Sequence, residues 1–166
     1  MTDRLATQAH GQFGDHQKAV TGTGDLSLVV GYDGSPPASR ALDAAVALLR
    51  GRKGCVEVVY VAHLPSTAML SANALAELCS AFDDIEQELR TTADERMRGV
   101  DSWGFERRQG VVADELVAIA EDTHHARPNN TVVIVVGSSS HAMHRVVGSV
   151  AVSLARHSPV PLVIVP

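Results

Sequence analysis

Short apolar runs alternate along the chain with stretches in which apolar residues recur every three or four positions. Leu26 to Val30, apolar apart from Ser27, has the length and character of a buried strand. Ser35-Pro36-Pro37 punctuates the chain, and Ala38 to Arg50 is rich in Ala and Leu. A helix opening beside a proline is expected there, since the fixed φ of proline suits a first turn. Gly51 and Gly54 flank a turn, and Val56 to Ala62 is β-branched and mostly apolar, a second strand. Pro65 opens a loop. The longest helical signal runs from Ser71 to Arg98, with Leu75, Leu78, Phe82, Ile85 and Leu89 on one stripe. Glu86 and Arg90 are ordered for an i,i+4 ion pair. The stripe covers only about two heptads, so packing on a sheet is expected before a coiled coil.

A weaker strand covers Gly104 to Gln109. Ala113 to Glu121 reads as a helix with Leu116, Ile119 and Ala120 on one face, and His124 to Asn130 as a polar loop. Arg127 to Asn130 are expected to form a plain surface loop. Thr131 to Val136 is the strongest strand, apolar on both faces, as in the centre of a parallel sheet covered by helices. Arg145 to His157 predicts the last helix, and Leu162 to Val165 the last strand.

This alternation predicts an α/β fold: a doubly wound five-stranded parallel sheet with right-handed crossovers and helices on both faces. One domain is expected over residues 25–166, preceded by a polar tail over residues 1–24 that has no apolar period. Ligands of such sheets sit beyond the carboxyl ends of the strands, where the strand order reverses. That directs attention to the loops after the first and fourth strands.

Charge and cysteine content narrow the partners. Fourteen Lys and Arg against nineteen Asp and Glu leave a net charge of -5, which disfavours a broad nucleic-acid or anionic-membrane surface. Two cysteines, Cys55 and Cys79, make no disulfide framework, so a reducing, cytoplasmic setting is expected, with both as small buried residues. No apolar run approaches the ~18 residues that span a bilayer.

In the first loop, Gly31-Tyr32-Asp33-Gly34-Ser35, the carboxylate of Asp33 stands at a strand's end, placed to accept hydrogen bonds from a sugar or base. An Asp-Gly turn capping the next helix reads the same residues equally well. The second loop runs from Gly137-Ser138-Ser139-Ser140 to Gly148-Ser149. Its small residues bare the backbone, and the start of the following helix favours an anion. An ordinary serine-rich loop is the alternative. The chain has no G-x-x-x-x-G-K-[ST], no G-x-S-x-G and no H-E-x-x-H, and Gly22-x-Gly24 precedes the first strand where a dinucleotide fingerprint would follow it. His124, His125, His141 and His144 read as solvated loop residues before metal ligands.

The two loops together resemble the universal stress protein family. Val29-Val-Gly-Tyr-Asp-Gly-Ser35 followed by Ala41-Leu42 is similar to the family's opening. Val133-Ile-Val-Val-Gly-Ser138, Gly148-Ser149-Val150 and Pro159-Val-Pro-Leu-Val-Ile-Val165 are similar to its ending, and Gly110 to Leu116 to the segment before its third helix. The resemblance implies a sheet of order 3-2-1-4-5 and a stress-response module. It also implies a bound adenine nucleotide, ATP or a related one, with magnesium accompanying it. By the same resemblance Gly31, Tyr32, Asp33 and Val61 would serve the adenosine, and Gly137, Ser138, Ser139, Ser140, Gly148, Ser149 and Val150 the phosphates. The family's signature, G-x-x-G, nine residues, then G-[ST], is altered. Ser140 replaces the second glycine, and His141 to Val147 makes a spacer of seven. A nucleotide-free interaction module is therefore the alternative. A small nucleotide hydrolase ranks below it, since Arg145 is the only fixed cation nearby. No catalytic residue is expected. The implied order puts the last strand at an edge, where the apolar Leu162, Val163, Ile164 and Val165 would pair with a second copy as a homodimer.

Overall fold

The computed structural model of the chain describes residues 26–63, 71–138 and 148–166. The tail, Ser139, Ser140, His141, His144 and Arg145 lie outside the described residues. The elements alternate as β1 (Leu26–Gly31), α1 (Pro36–Leu49), β2 (Gly54–Ala62), α2 (Ala72–Arg96), β3 (Trp103–Gln109), α3 (Val112–Ala126), β4 (Thr131–Gly137), α4 (Ser149–His157) and β5 (Leu162–Val165). All strands pair in parallel, in the order β3-β2-β1-β4-β5. This is the expected doubly wound sheet. Its alternating side chains feed two cores. Leu28, Val30, Val56 and Val58 pack with Ala41, Leu42 and Ala45 of α1 and Leu89 and Ala93 of α2. Val29, Val59, Ile134 and Val136 pack with Leu116 and Ile119 of α3 and Ala151 and Leu154 of α4.

Four local expectations are corrected. The α2 stripe does not all pack on the sheet. Leu89, Ala93 and Met97 are buried, but Leu75 and Ile85 are each 43% exposed. The cause is length: 25 residues of helix run roughly 37 Å, against roughly 23 Å for the seven residues of β3. The first half of α2 therefore overhangs the strands, and Cys79, expected to be buried, is exposed on it. A polar clamp holds this half. Arg107 of β3 donates to Asp83 Oδ1 at 2.8 Å and reaches Glu86 Oε2 at 3.1 Å. The expected Glu86–Arg90 pair forms at 3.3 Å, with the Arg90 guanidinium 5.0 Å from the Phe105 ring centre.

His124 and His125 belong to the last turn of α3, not to a loop. His125 Nδ1 lies 2.7 Å from the Glu121 carbonyl oxygen, and the helix stops at Arg127, before Pro128, which disfavours helical backbone in the residue preceding it. The loop that follows is more than surface. Asn130 Nδ2 donates to Ser27 Oγ at 3.0 Å, and Ser27 is the one buried polar residue among those described.

Glu57 was not singled out by pattern. It sits on β2 on the α3 side of the sheet, where burial, and next the charge of Glu106, push its carboxyl up from 4.5 to about 7. Arg127 and Arg108 pull the other way but less. Between those two pH values the folded chain keeps a proton that the unfolded chain releases, so the contribution of Glu57 to stability falls as pH rises. Glu57→Gln should be more stable than the parent at pH 8 by about 1–3 kcal/mol, with little difference at pH 4. Urea denaturation at the two pH values measures this. Equal stabilities at pH 8 would contradict it.

Candidate functional site

The order of strands reverses between β1 and β4, and an open cleft of about 250 Å³ lies beyond their carboxyl ends. Of the residues picked from the sequence, Gly31, Tyr32, Asp33, Val61, Gly137, Ser138, Gly148, Ser149 and Val150 all line it. Pattern alone missed its apolar floor, made by Val59, Val112, Leu116, Val136 and Ala151. Those residues carried only a core signal, because a wall of a shallow cleft and a core face share one periodicity.

Local chemistry explains how each loop is held. Asp33 is exposed, and its Oδ1 accepts from the Ser35 backbone N–H at 3.0 Å. Ser35, not Asp33, caps α1: its Oγ accepts from the Ala38 N–H at 3.3 Å. The Asp-Gly turn and the outward carboxylate thus coexist. Oδ2 has no hydrogen-bond partner among the described residues. Gly34 holds φ +81, and a Cβ there would lie 2.7 Å from Leu89 Cδ2. Tyr32 is only 3% exposed and its ring belongs to the core on the α1 side.

At Gly137 the constraint is space. A Cβ would sit 2.4 Å from the Pro37 carbonyl carbon and 2.7 Å from the Ala38 nitrogen. Both neighbours are backbone, so only glycine lets the end of β4 lie against the start of α1. The next residue closes the end of the sheet, where the Ser138 N–H donates to the Val165 carbonyl at 2.7 Å.

Three helix starts face the cleft: Ser35 and Ala38 of α1, Val112 and Leu116 of α3, and Ser149, Val150 and Ala151 of α4. They differ in what they offer. The first two residues of α1 are prolines, without N–H, and its next two amides donate to the Ser35 side chain and carbonyl. α3 carries Asp114 and Glu115 in its first turn, which repel an anion. α4 starts at Gly148 with no side-chain cap and no acid in its first turn. Its first helical bond is from the Val152 N–H to the Gly148 carbonyl, so the amides of Ser149, Val150 and Ala151 have no acceptor within the helix. No Lys or Arg is among the described cleft residues. Nor do three His, Cys, Asp or Glu side chains cluster as a metal site among the described residues.

A doubly wound parallel sheet with an open cleft at its switch point defines an α/β module of the kind that takes its ligands beyond the carboxyl ends of its strands. Residues 27–166 match the sequence profile of the universal stress protein family, and the chain belongs to that family. It is 27% identical over 145 residues to the universal stress protein YxiE of Bacillus subtilis, covering 83% of this chain and 97% of that protein. A crystal structure of a universal stress protein family member from Burkholderia pseudomallei aligns with a TM-score of 0.60 at 27% identity, over 86% of this chain and 96% of that one. A crystal structure of a universal stress protein in complex with cAMP aligns with a TM-score of 0.59 at 23% identity, over 85% and 97%.

Gly137→Ala should lower stability by about 1–3 kcal/mol, because two backbone segments must separate to admit one methyl group. An unchanged urea midpoint would show that the contact gives way freely.

Proposed function

We propose that the cleft binds an adenine nucleotide, ATP or a related one, and that the chain works as a dimeric stress-response module that holds its ligand without turning it over. The observation that carries this reading is the contrast among the three helix starts: α4 alone combines an uncapped, acid-free first turn with a leading glycine and serine. In the absence of a described cation, phosphate oxygens would be held by amide N–H groups and the Ser149 hydroxyl. Ser138, and by family resemblance Ser139 and Ser140, would add hydroxyls. Asp33 repels phosphate, so it belongs at the other end of the ligand, where its free Oδ2 can accept from a ribose hydroxyl. The base would rest on the apolar floor near Val59 and Val61. Magnesium would arrive with the phosphates, since the described residues form no metal cluster of their own. The cAMP held by the structural relative supports the ligand class.

The dimer would form through β5. This strand pairs with β4 on one side and ends the sheet on the other. The Pro161 and Val165 carbonyls accept from the β4 side. By the alternation of a parallel ladder, Leu162 and Ile164 turn their N–H and C=O groups to the open edge. An apolar edge of this kind is stabilised by pairing with its own copy.

Calorimetric titration of nucleotide-free protein with ATP and magnesium tests the ligand. Asp33→Asn keeps an oxygen for the Ser35 turn while removing the charge, and should weaken ATP about tenfold. Absence of ATP, AMP and cyclic AMP binding would favour a nucleotide-free interaction module instead. Ile164→Pro, which removes an edge-facing N–H, should convert a dimer to monomer in size-exclusion light scattering. A dimer of unchanged mass would rule out this edge.

A further inference from the structure

At the opposite pole of the sheet, the turns α1–β2 and α2–β3 enclose an open cavity of about 600 Å³. Its wall carries Arg50, Arg52, Lys53 and Arg98, with Asp101 as the one carboxylate. Four of the chain's fourteen Lys and Arg thus meet in one hollow of a protein whose net charge is -5. The first three are exposed and make no ion pair among the described residues. Among the described residues Arg98 pairs only with Glu95, at 4.0 Å, with both side chains largely exposed. Self-repulsion of this kind is unfavourable unless something offsets it.

The helix ends do not account for it. The carboxyl ends of α1 and α2 point to this pole and together supply roughly one negative charge, which leaves the hollow net positive. The backbone is bare as well: a Cβ at Gly51 or Gly99 would meet nothing within 4 Å.

We propose that this hollow is a second ligand site, separate from the cleft, which takes a small polyanion with two or more clustered oxyanion groups. Its volume falls within the roughly 300–1,000 Å³ of small-molecule sites. The guanidinium groups suit the planar oxygens of phosphate and carboxylate alike, while an ammonium such as that of Lys53 acts as a point charge. A single-charge anion would leave most of the four cations unmatched, so selectivity for multivalent ligands follows.

Titration of the full chain with sodium tripolyphosphate and, separately, citrate distinguishes phosphate from carboxylate ligands, with orthophosphate as the monomeric control. At least one polyanion should bind, weaken tenfold or more in the double variant Arg52→Ser with Lys53→Ser, and weaken further as salt is raised. Both residues are exposed, so the variant should keep its fold, which circular dichroism checks. Amide NMR should report the binding at Gly51, Gly99 and Val100, with the Gly31–Ser35 loop unmoved. Binding that is equal in the double variant, that orthophosphate matches, or that shifts only cleft amides would overturn the proposal. So would the absence of binding by both polyanions.

Discussion

The fold depends on one contact in which two stretches of backbone touch with no side chain between them. Gly137 at the end of β4 lies against Pro37 and Ala38 at the start of α1, closer than any Cβ would allow. This contact fixes how far the first helix can stand from the fourth strand, and so the width of the groove between the β1 and β4 loops. The prolines of α1 are compatible with it, since neither carries an N–H that would need a partner there. Gly34 has a comparable role on the other side, where its backbone crosses Leu89 of α2. Gly34 and Gly137 are therefore structural first, and the ligand chemistry falls to the residues they position.

Much of this was legible in the residues. The continuous apolar runs of β1 and β4 mark central strands because both faces are covered, and alternation with helical periods leaves few topologies. The nine described site residues chosen from the sequence converge on one cleft because the ends of parallel strands share one edge of the sheet. Other features depend on relative lengths and on distant partners, which local pattern does not contain. The overhang of α2, with Leu75, Ile85 and Cys79 exposed, follows from a helix longer than the strand it covers. The bond from Asn130 to Ser27 links positions far apart in the chain. The half-buried carboxyl of Glu57 lies in a strand that is otherwise mostly apolar, where no local pattern marks it.

The two ends of the sheet have opposite chemistry. At the carboxyl end the described residues that line the cleft include no Lys or Arg and offer backbone amides, serine hydroxyls and one carboxylate. At the amino end four cations crowd two glycine-containing turns. The first arrangement would discriminate by geometry, because amides reward a phosphate only at the correct distance and angle. The second attracts by charge and is more sensitive to salt. A single sheet separates them, so a ligand at either pole meets strands shared with the other.

We propose that the uncapped start of α4 receives the phosphates of a nucleotide at the switch point. Amide NMR of the full chain during titration with ATP and magnesium tests it most directly. The largest changes are expected at Ser149, Val150 and Ala151, with smaller ones in the first turns of α1 and α3. Changes centred on α1 or α3, with α4 unmoved, would contradict it.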